Sequence, residues 1–268
     1  MFLERFRDWF RPDPFPAALR AYGMERCSMA RQSVAGQSMC IGLAPSADHG
    51  LLPLHEVPDA PGWVCFLEAP RQADLIRAFA ASPRARTVER LVIGTSHDYA
   101  QKRSVGYDMG AAVAALGGAR FPALKRLSLG DMEMLFNGHR LFGTLGDVAA
   151  VFDIAPHLEE LGLHGHFALR RPVRHARLCS LLVEVEDIGV TGGPLDQETV
   201  SNLFLSDLPS LAECTLDLDD DYPEFLYTVP DAFLSGSPFP ALQLLRINTL
   251  TPEANARIEA WKAKRGVC

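Results

Sequence analysis

Three observations in the sequence predict an α/β fold made of stacked units, with a parallel sheet of about six strands on one side and helices on the other. The first is a phrase written twice: FPALKRLSL at 121–129 returns as FPALQLLRI at 239–247. The second is that the phrase, loosened to apolar-x-x-apolar-x-apolar, recurs at Val88/Leu91/Ile93, Leu124/Leu127/Leu129, Leu158/Leu161/Leu163, Leu178/Leu181/Val183, Leu211/Cys214/Leu216 and Leu242/Leu245/Ile247. First positions lie 36, 34, 20, 33 and 31 residues apart, and self-similarity at such a period marks stacked repeats. The third is punctuation. Pro122, Pro156, Pro209 and Pro240 each stand two residues before the first apolar position, where proline blocks helix continuation and pushes the residue before it towards extended geometry.

Taken in order, the elements follow from periodicity. The opening MFLERFRDWF sets Phe2, Leu3, Phe6, Trp9 and Phe10 at helical spacing with charges opposite, predicting an amphipathic helix that breaks at RPDPFP. Strand-like runs follow at SMCIGL and WVCFLE. Terminal repeats expose core that must be covered, so residues 1–70 are expected to form an α+β cap and residues 71–268 the repeat domain. Within each repeat the last two apolar positions alternate with polar ones, the period of a strand with one buried face. Between strands lie helical patterns. Asp108 is placed to cap a helix carrying Met109, Val113 and Leu116 and stopped by Gly117-Gly118. Thr144-x-x-Asp147 resembles a capping box before Val148, Val151 and Phe152. Asp196 is placed to cap a third helix burying Val200, Leu203 and Phe204, and a last helix begins at Thr251-Pro252 with Ala254, Ile258 and Trp261 on one stripe. The 20-residue fourth spacing leaves no room for a full helix.

The L-x-x-L-x-L core is the leucine-rich-repeat signature, with Gly94, Gly130, Gly165 and Asp219 near the position where Asn or Cys usually follows. The stretches LIRAFAASPRARTVERLVIG, FPALKRLSLGDME, IAPHLEELGLHG and LFLSDLPSLAECTLDL resemble a group of poorly characterised bacterial leucine-rich-repeat proteins over roughly residues 70 to 250. That resemblance implies a solenoid, a horseshoe with its parallel sheet on the concave side and no known catalytic site. It does not reach the first 70 residues.

In such a solenoid the residues alternating with the repeat leucines line the concave face. The first column is Arg90, Arg126, Glu160, Ser180, Glu213, Leu244; the second is Val92, Ser128, Gly162, Leu182, Thr215, Arg246; the third is Gly94, Gly130, His164, Glu184, Asp217, Asn248. Glu160, Glu184, Glu186, Glu213, Asp217 and Asp219 gather on the later strands, continued by Asp220 and Asp221, and with Leu182 they form the expected partner-binding surface. An acidic surface steers and selects a basic protein. A rival use of the same rows is a metal site on His164, Glu184 and Asp217 with His166 nearby, since imidazole and carboxylates suit zinc or manganese. Neither H-E-x-x-H nor a cysteine pair accompanies it.

Other chemical signatures fail. GHRLFGTL at 138–145 has Thr144 where a phosphate loop needs lysine, and reads as a loop and helix cap. GQSMC at 36–40 lacks the second glycine of a nucleophile elbow, leaving Ser38 without support as a nucleophile. His49, His55, His97, His139, His157 and His175 stand singly and read as surface or locally bonded residues. The six cysteines show no C-x-x-C spacing and read as reduced thiols, Cys214 standing for a repeat leucine as a small core hydrophobe.

Composition bounds the function. With 26 Lys and Arg against 33 Asp and Glu, the formal charge of −7 argues against binding driven by phosphate neutralisation, so no nucleic-acid partner is expected. The start has no apolar signal region and no run approaches spanning length, so a cytoplasmic location and no membrane span are expected. The expectation is a non-catalytic protein-interaction module without a cofactor, extending to an immunity-like or chaperone-like role towards a basic protein. The alternatives are a metal-dependent enzyme on the same face, or a scaffold held at a membrane surface by residues 1–10.

Overall fold

A computed structural model describes residues 26–30, 40–43, 52–53, 62–67, 71–95, 107–130, 143–185, 194–218, 225–236 and 238–268. The helix expected over Phe2–Phe10 lies outside the described residues. Four strands come first: β1 (Arg26–Ala30), β2 (Cys40–Leu43), β3 (Leu52–Pro53) and β4 (Gly62–Leu67). Then follow α1 (Arg71–Ala81), a 3-10 turn (Pro83–Arg86), β5 (Arg90–Thr95), β6 (Tyr107–Asp108), α2 (Gly110–Leu116) and β7 (Arg126–Leu129). Next are β8 (Gly143–Asp147), α3 (Val151–Ile154), β9 (Glu160–His164), β10 (His166–Ala168) and β11 (Ser180–Val185). The chain closes with α4 (Gln197–Phe204), β12 (Glu213–Leu218), α5 (Asp231–Ser235), β13 (Leu244–Ile247) and α6 (Pro252–Arg265).

The result is an α/β fold around a parallel sheet. The larger sheet runs β13-β12-β11-β9-β7-β5-β4-β2-β1-β3, and every pairing from β2 to β13 is parallel. Among the described residues only β1 is antiparallel to its neighbours, β2 and β3. The runs SMCIGL and WVCFLE thus contain strands that add to the same sheet as the repeated phrases, β4 pairing with β5 along Gly62–Leu67.

A backbone ladder explains why the phrase is repeated. Lys125 and Arg126 both donate their N–H to the Glu89 carbonyl, and Glu159 and Glu160 to that of Lys125. Cys179 and Ser180 then donate to Glu159, Ala212 and Glu213 to Cys179, and Gln243 and Leu244 to Ala212. Each unit enters the sheet by the same two bonds on the unit before it, which sets all six strands in one register. The proline turn supports that entry: Phe121 and Phe239 are buried, and Leu124 and Leu242 close onto the Phe121 and Phe239 carbonyls at 3.2 and 3.3 Å.

Side chains of one parity form the core. Leu91, Ile93, Leu127, Leu129, Leu161, Leu163, Leu181, Val183, Cys214, Leu216 and Leu245 are buried beneath the sheet, each large one contributing about 1.5–3 kcal/mol relative to exposure. Phe233 joins the last units, its ring 4.8 Å from Phe204, 5.5 Å from Phe239 and 4.7 Å from Trp261.

Of the four helices expected after residue 70, three form where periodicity places them: α2, α4 and α6. Thr251 caps α6 by accepting from Ala254 N–H at 3.1 Å. Asp108 accepts from Gly110 N–H at 2.8 Å, one residue outside the α2 cap position, while the Asp196 side chain makes no cap bond to α4. The capping box at 144–147 is a correction. Residues 143–147 are strand β8, and the helix after it spans only Val151–Ile154. Thr144 Oγ1 accepts from Gly146 and Asp147 Oδ1 from Ala149, so both side chains serve local turns. Gly146 has φ of 70°, and a Cβ there would stand 2.9 Å from the Gly110 Cα, which keeps β8 tight against the start of α2. β6, β8 and β10 form a second, three-stranded parallel sheet. The fourth unit, between β9 and β11, has no helix, as its short spacing requires.

Candidate functional site

The register reproduces the predicted rows. Arg90, Arg126, Glu160, Ser180, Glu213 and Leu244 are successive partners across β5 to β13, as are Val92, Ser128, Gly162, Leu182, Thr215 and Arg246. In the third row His164, Glu184 and Asp217 are adjacent. These rows occupy the sheet face opposite the buried leucines. Arg126, Glu160, Glu213, Asp217 and Arg246 are exposed there, and Leu182 and Leu244 half-buried.

The carboxylates do not stand as one uncompensated patch. Arg126 Nε lies 3.0 Å from Glu160 Oε1 on the next strand. Glu184 Oε2 lies 2.7 Å from His164 Nδ1. Asp217 Oδ1 accepts from Asn248 Nδ2 at 2.8 Å, while Asn248 Oδ1 accepts from Leu218 N–H at 2.7 Å. Ser180 separates Glu160 from Glu213 in the first row. Cross-strand pairing thus offsets the repulsion that the sequence columns imply, by roughly 0.2–1 kcal/mol per opposite-charge pair. Glu186, Asp219, Asp220 and Asp221 lie outside the described residues.

His164 is the unusual member of the open face. Its side chain is only 4% exposed and that of Glu184 only 16%. The imidazole is accommodated because position 162 is glycine. A Cβ on Gly162 would stand 2.8 Å from His164 Nε2 and 3.2 Å from Ser128 Oγ. Glu184, His164 and Ser128 therefore form a polar line across β11, β9 and β7, with Ser128 itself buried. The His164–Glu184 bond ties β9 to β11, and a buried hydrogen bond to a carboxylate is worth about 1.5–3 kcal/mol net.

The metal arrangement named from the sequence is not assembled here. Asp217 turns to Asn248, and His166, on the second sheet, binds the Pro194 carbonyl through Nε2 at 2.9 Å. Among the described residues no group of three or more His, Cys, Asp or Glu is placed to hold a metal ion. The segment read as a loop and helix cap at 138–145 includes the first three residues of β8, Gly143–Leu145; residues 138–142 lie outside the described ones. Ser38, His49, His55, His97 and His139 also lie outside them. His175 is buried, its Nε2 2.9 Å from the Ala155 carbonyl and its Nδ1 accepting from Leu178 N–H at 3.0 Å. Cys214 is buried, and desolvation pushes its thiol up to about 12.

The sequence columns place Gly162 and Ser128 on this face but assign neither a role. The signal was present: a glycine inside a strand often marks close approach by a neighbouring group.

No family model and no curated protein matches the chain. Among solved structures it is similar to a protein from Bacteroides fragilis, at 18% identity and a TM-score of 0.41, over 65% of this chain and 47% of that one. The chain thus spans about half the length of that structure. No helix among the described residues is long and apolar enough to cross a membrane.

Proposed function

We propose that the chain is a solenoid of the leucine-rich-repeat type that works as a protein-interaction module, binding a partner on the open face of its sheet without turning over a substrate. The observation that carries this reading is the separation of the two faces. One parity of the strands is closed by packing, while the other presents Glu213, Asp217 and Arg246 exposed beside half-buried Leu182 and Leu244. Charged groups around aliphatic ones are what a protein interface uses for specificity and contact area.

Within this reading the partner contacts Glu160, Leu182, Glu213 and Asp217. Glu184 acts indirectly, by seating His164 and keeping β9 and β11 in register. A basic partner surface suits Glu213 and Asp217, and an immunity-like or chaperone-like role is one form such binding takes.

The test compares wild type with Glu213→Lys/Asp217→Lys in capturing proteins from host lysate, each variant first checked for a native thermal transition. The reading expects a specific partner retained by wild type and lost from the double variant. Equal capture of that partner by both proteins removes the open face as its binding surface.

A further inference from the structure

The fourth unit closes its turn differently from its neighbours. In units two, three, five and six a backbone carbonyl does it: Leu124, Leu158, Leu211 and Leu242 donate their N–H to Phe121, Ala155, Leu208 and Phe239. The corresponding residue of unit four is His175, and its side chain takes over that task. The imidazole Nδ1 accepts from Leu178 N–H at 3.0 Å and from Arg177 N–H at 3.3 Å. Two donors on Nδ1 fix the tautomer, so Nε2 carries the proton and donates to the Ala155 carbonyl at 2.9 Å. The residue is buried, only 4% exposed. The ring thus joins the turn of unit four to that of unit three, immediately before the Cys179 and Ser180 N–H groups that bond Glu159 and start β11.

We propose that this turn is an acid-sensitive hinge: protonation of His175 opens unit four and loosens the register of β11, while the turns closed by carbonyls stay shut. A neutral imidazole satisfies every bond of the turn. A second proton has only Nδ1 to occupy, and there it meets two N–H groups inside a buried site. Both acceptor bonds are lost and a donor is left facing donors, an arrangement that buried polar groups avoid. A backbone carbonyl takes up no proton in the same range, so the other turns have no such response.

The charged neighbours leave that sign unchanged. Asp153, His157 and Glu159 stand exposed around Ala155, Asp207 on the turn of unit five, and Arg171, Arg174 and Arg177 on the ring's own segment. Asp153 pairs with Arg171 at 3.0 Å and Asp207 with Arg174 at 2.9 Å. Carboxylates ordinarily keep their charge above about pH 4, and imidazoles gain theirs near about pH 6.5. Between neutral pH and about pH 5.5 the open turn therefore binds a proton for which the closed turn has no place, so closure is complete at neutral pH and is lost as pH falls. β11 carries Leu182 and Glu184, and an open unit four withdraws the middle of the open face. That consequence rests on the binding reading above, whereas the opening itself does not.

Hydrogen exchange of the full chain, read amide by amide at about pH 7 and about pH 5.5 and corrected for intrinsic rates, tests this. In wild type the opening equilibrium at Arg177 and Leu178 is expected to rise about tenfold over that interval, the response to one proton bound only when open. Leu124 and Leu242 are internal references and are expected not to move. His175→Asn offers a side-chain oxygen in place of Nδ1, keeps an acceptor for the Leu178 N–H and does not titrate, so its Leu178 opening is expected to be alike at both pH values. Wild type also carries the test by itself, with the ring nitrogens of His175 followed by NMR: protonation of the ring is expected to coincide with loss of Leu178 protection. A ring that gains its proton while the Leu178 amide stays protected overturns the proposal. So does an equal acid response in wild type and His175→Asn, or loss of protection at Leu124, Leu178 and Leu242 together, which is global acid unfolding. No partner enters these measurements, so their failure is separate from failure of capture on the open face.

Discussion

At the scale of single residues, Gly162 is the position on the open face where one methyl group matters most. Its absent Cβ leaves the volume that the His164 ring occupies. Gly162→Ala is therefore expected to lower stability by about 1–3 kcal/mol, the usual effect of overpacking a filled site. Urea denaturation measures it, and a cycle with His164→Ala provides the control. If the ring is what the methyl strikes, the double variant loses less than the sum of the singles by at least about 0.5 kcal/mol. Cys214 offers a second test. Its thiol is buried and pushed up to about 12, so native protein alkylated at pH 8 is expected to label exposed Cys179 and Cys268 but not Cys214, read by peptide mass mapping. The linkage has a definite sign. Below pH 9 the Cys214 thiol is neutral in both folded and unfolded chains, and it contributes no pH dependence. Between pH 9 and about 12 only the unfolded chain ionises there, so stability falls by about 1.4 kcal/mol per pH unit. Cys214→Val is expected to flatten that part of the pH–stability curve.

At the scale of elements, α6 is the helix whose ends are best specified. Thr251 caps it, Pro252 begins it, and Gly266 ends it at a φ of 68° in the left-handed region. Thr251→Ala is expected to cost about 1 kcal/mol. Because Ala254, Ile258 and Trp261 close the core beneath β13, this loss appears in the global denaturation midpoint and not merely as fraying. β8 is the opposite case. Val148, Val151 and Phe152 carry helical spacing, yet the residues before them pair with β6 and β10 in the second sheet. The capping-box pattern at Thr144 and Asp147 described side chains that bond within turns, and a local pattern does not reveal a neighbouring strand. Helix α1 carries a legible stripe in Ala73, Ile76 and Phe79, left unassigned above, whereas the five-residue α5 is too short to show one.

At the scale of the whole molecule, the two faces of the sheet respond differently to substitution. Leu127→Ala or Leu161→Ala, on the buried parity, is expected to cost about 2–5 kcal/mol, because neighbouring units hold the cavity open. Glu213→Lys/Asp217→Lys, on the exposed parity, is expected to remove partner capture while costing no more than about 0.5–1.5 kcal/mol, the net worth of the Asp217–Asn248 bond it breaks. A large loss of stability from that pair would mean that the open face is part of the fold and not a surface available for binding.

The sequence by itself determined the parallel sheet and the row in which each open-face residue stands. The repeated phrase carries its strand period six times, and five of its copies bring the two N–H groups that bond the preceding unit, so register follows from local features. Tertiary structure decided which open-face groups meet. The columns stand Glu160 beside Arg126, Glu184 beside His164 and Asp217 beside Asn248, but only the folded chain shows that each of these neighbours bonds. It likewise seats one histidine over Gly162 where the sequence shows only a polar row. Pairing across strands depends on side-chain reach and on the space a neighbour leaves, and neither is written in the residues of a single strand.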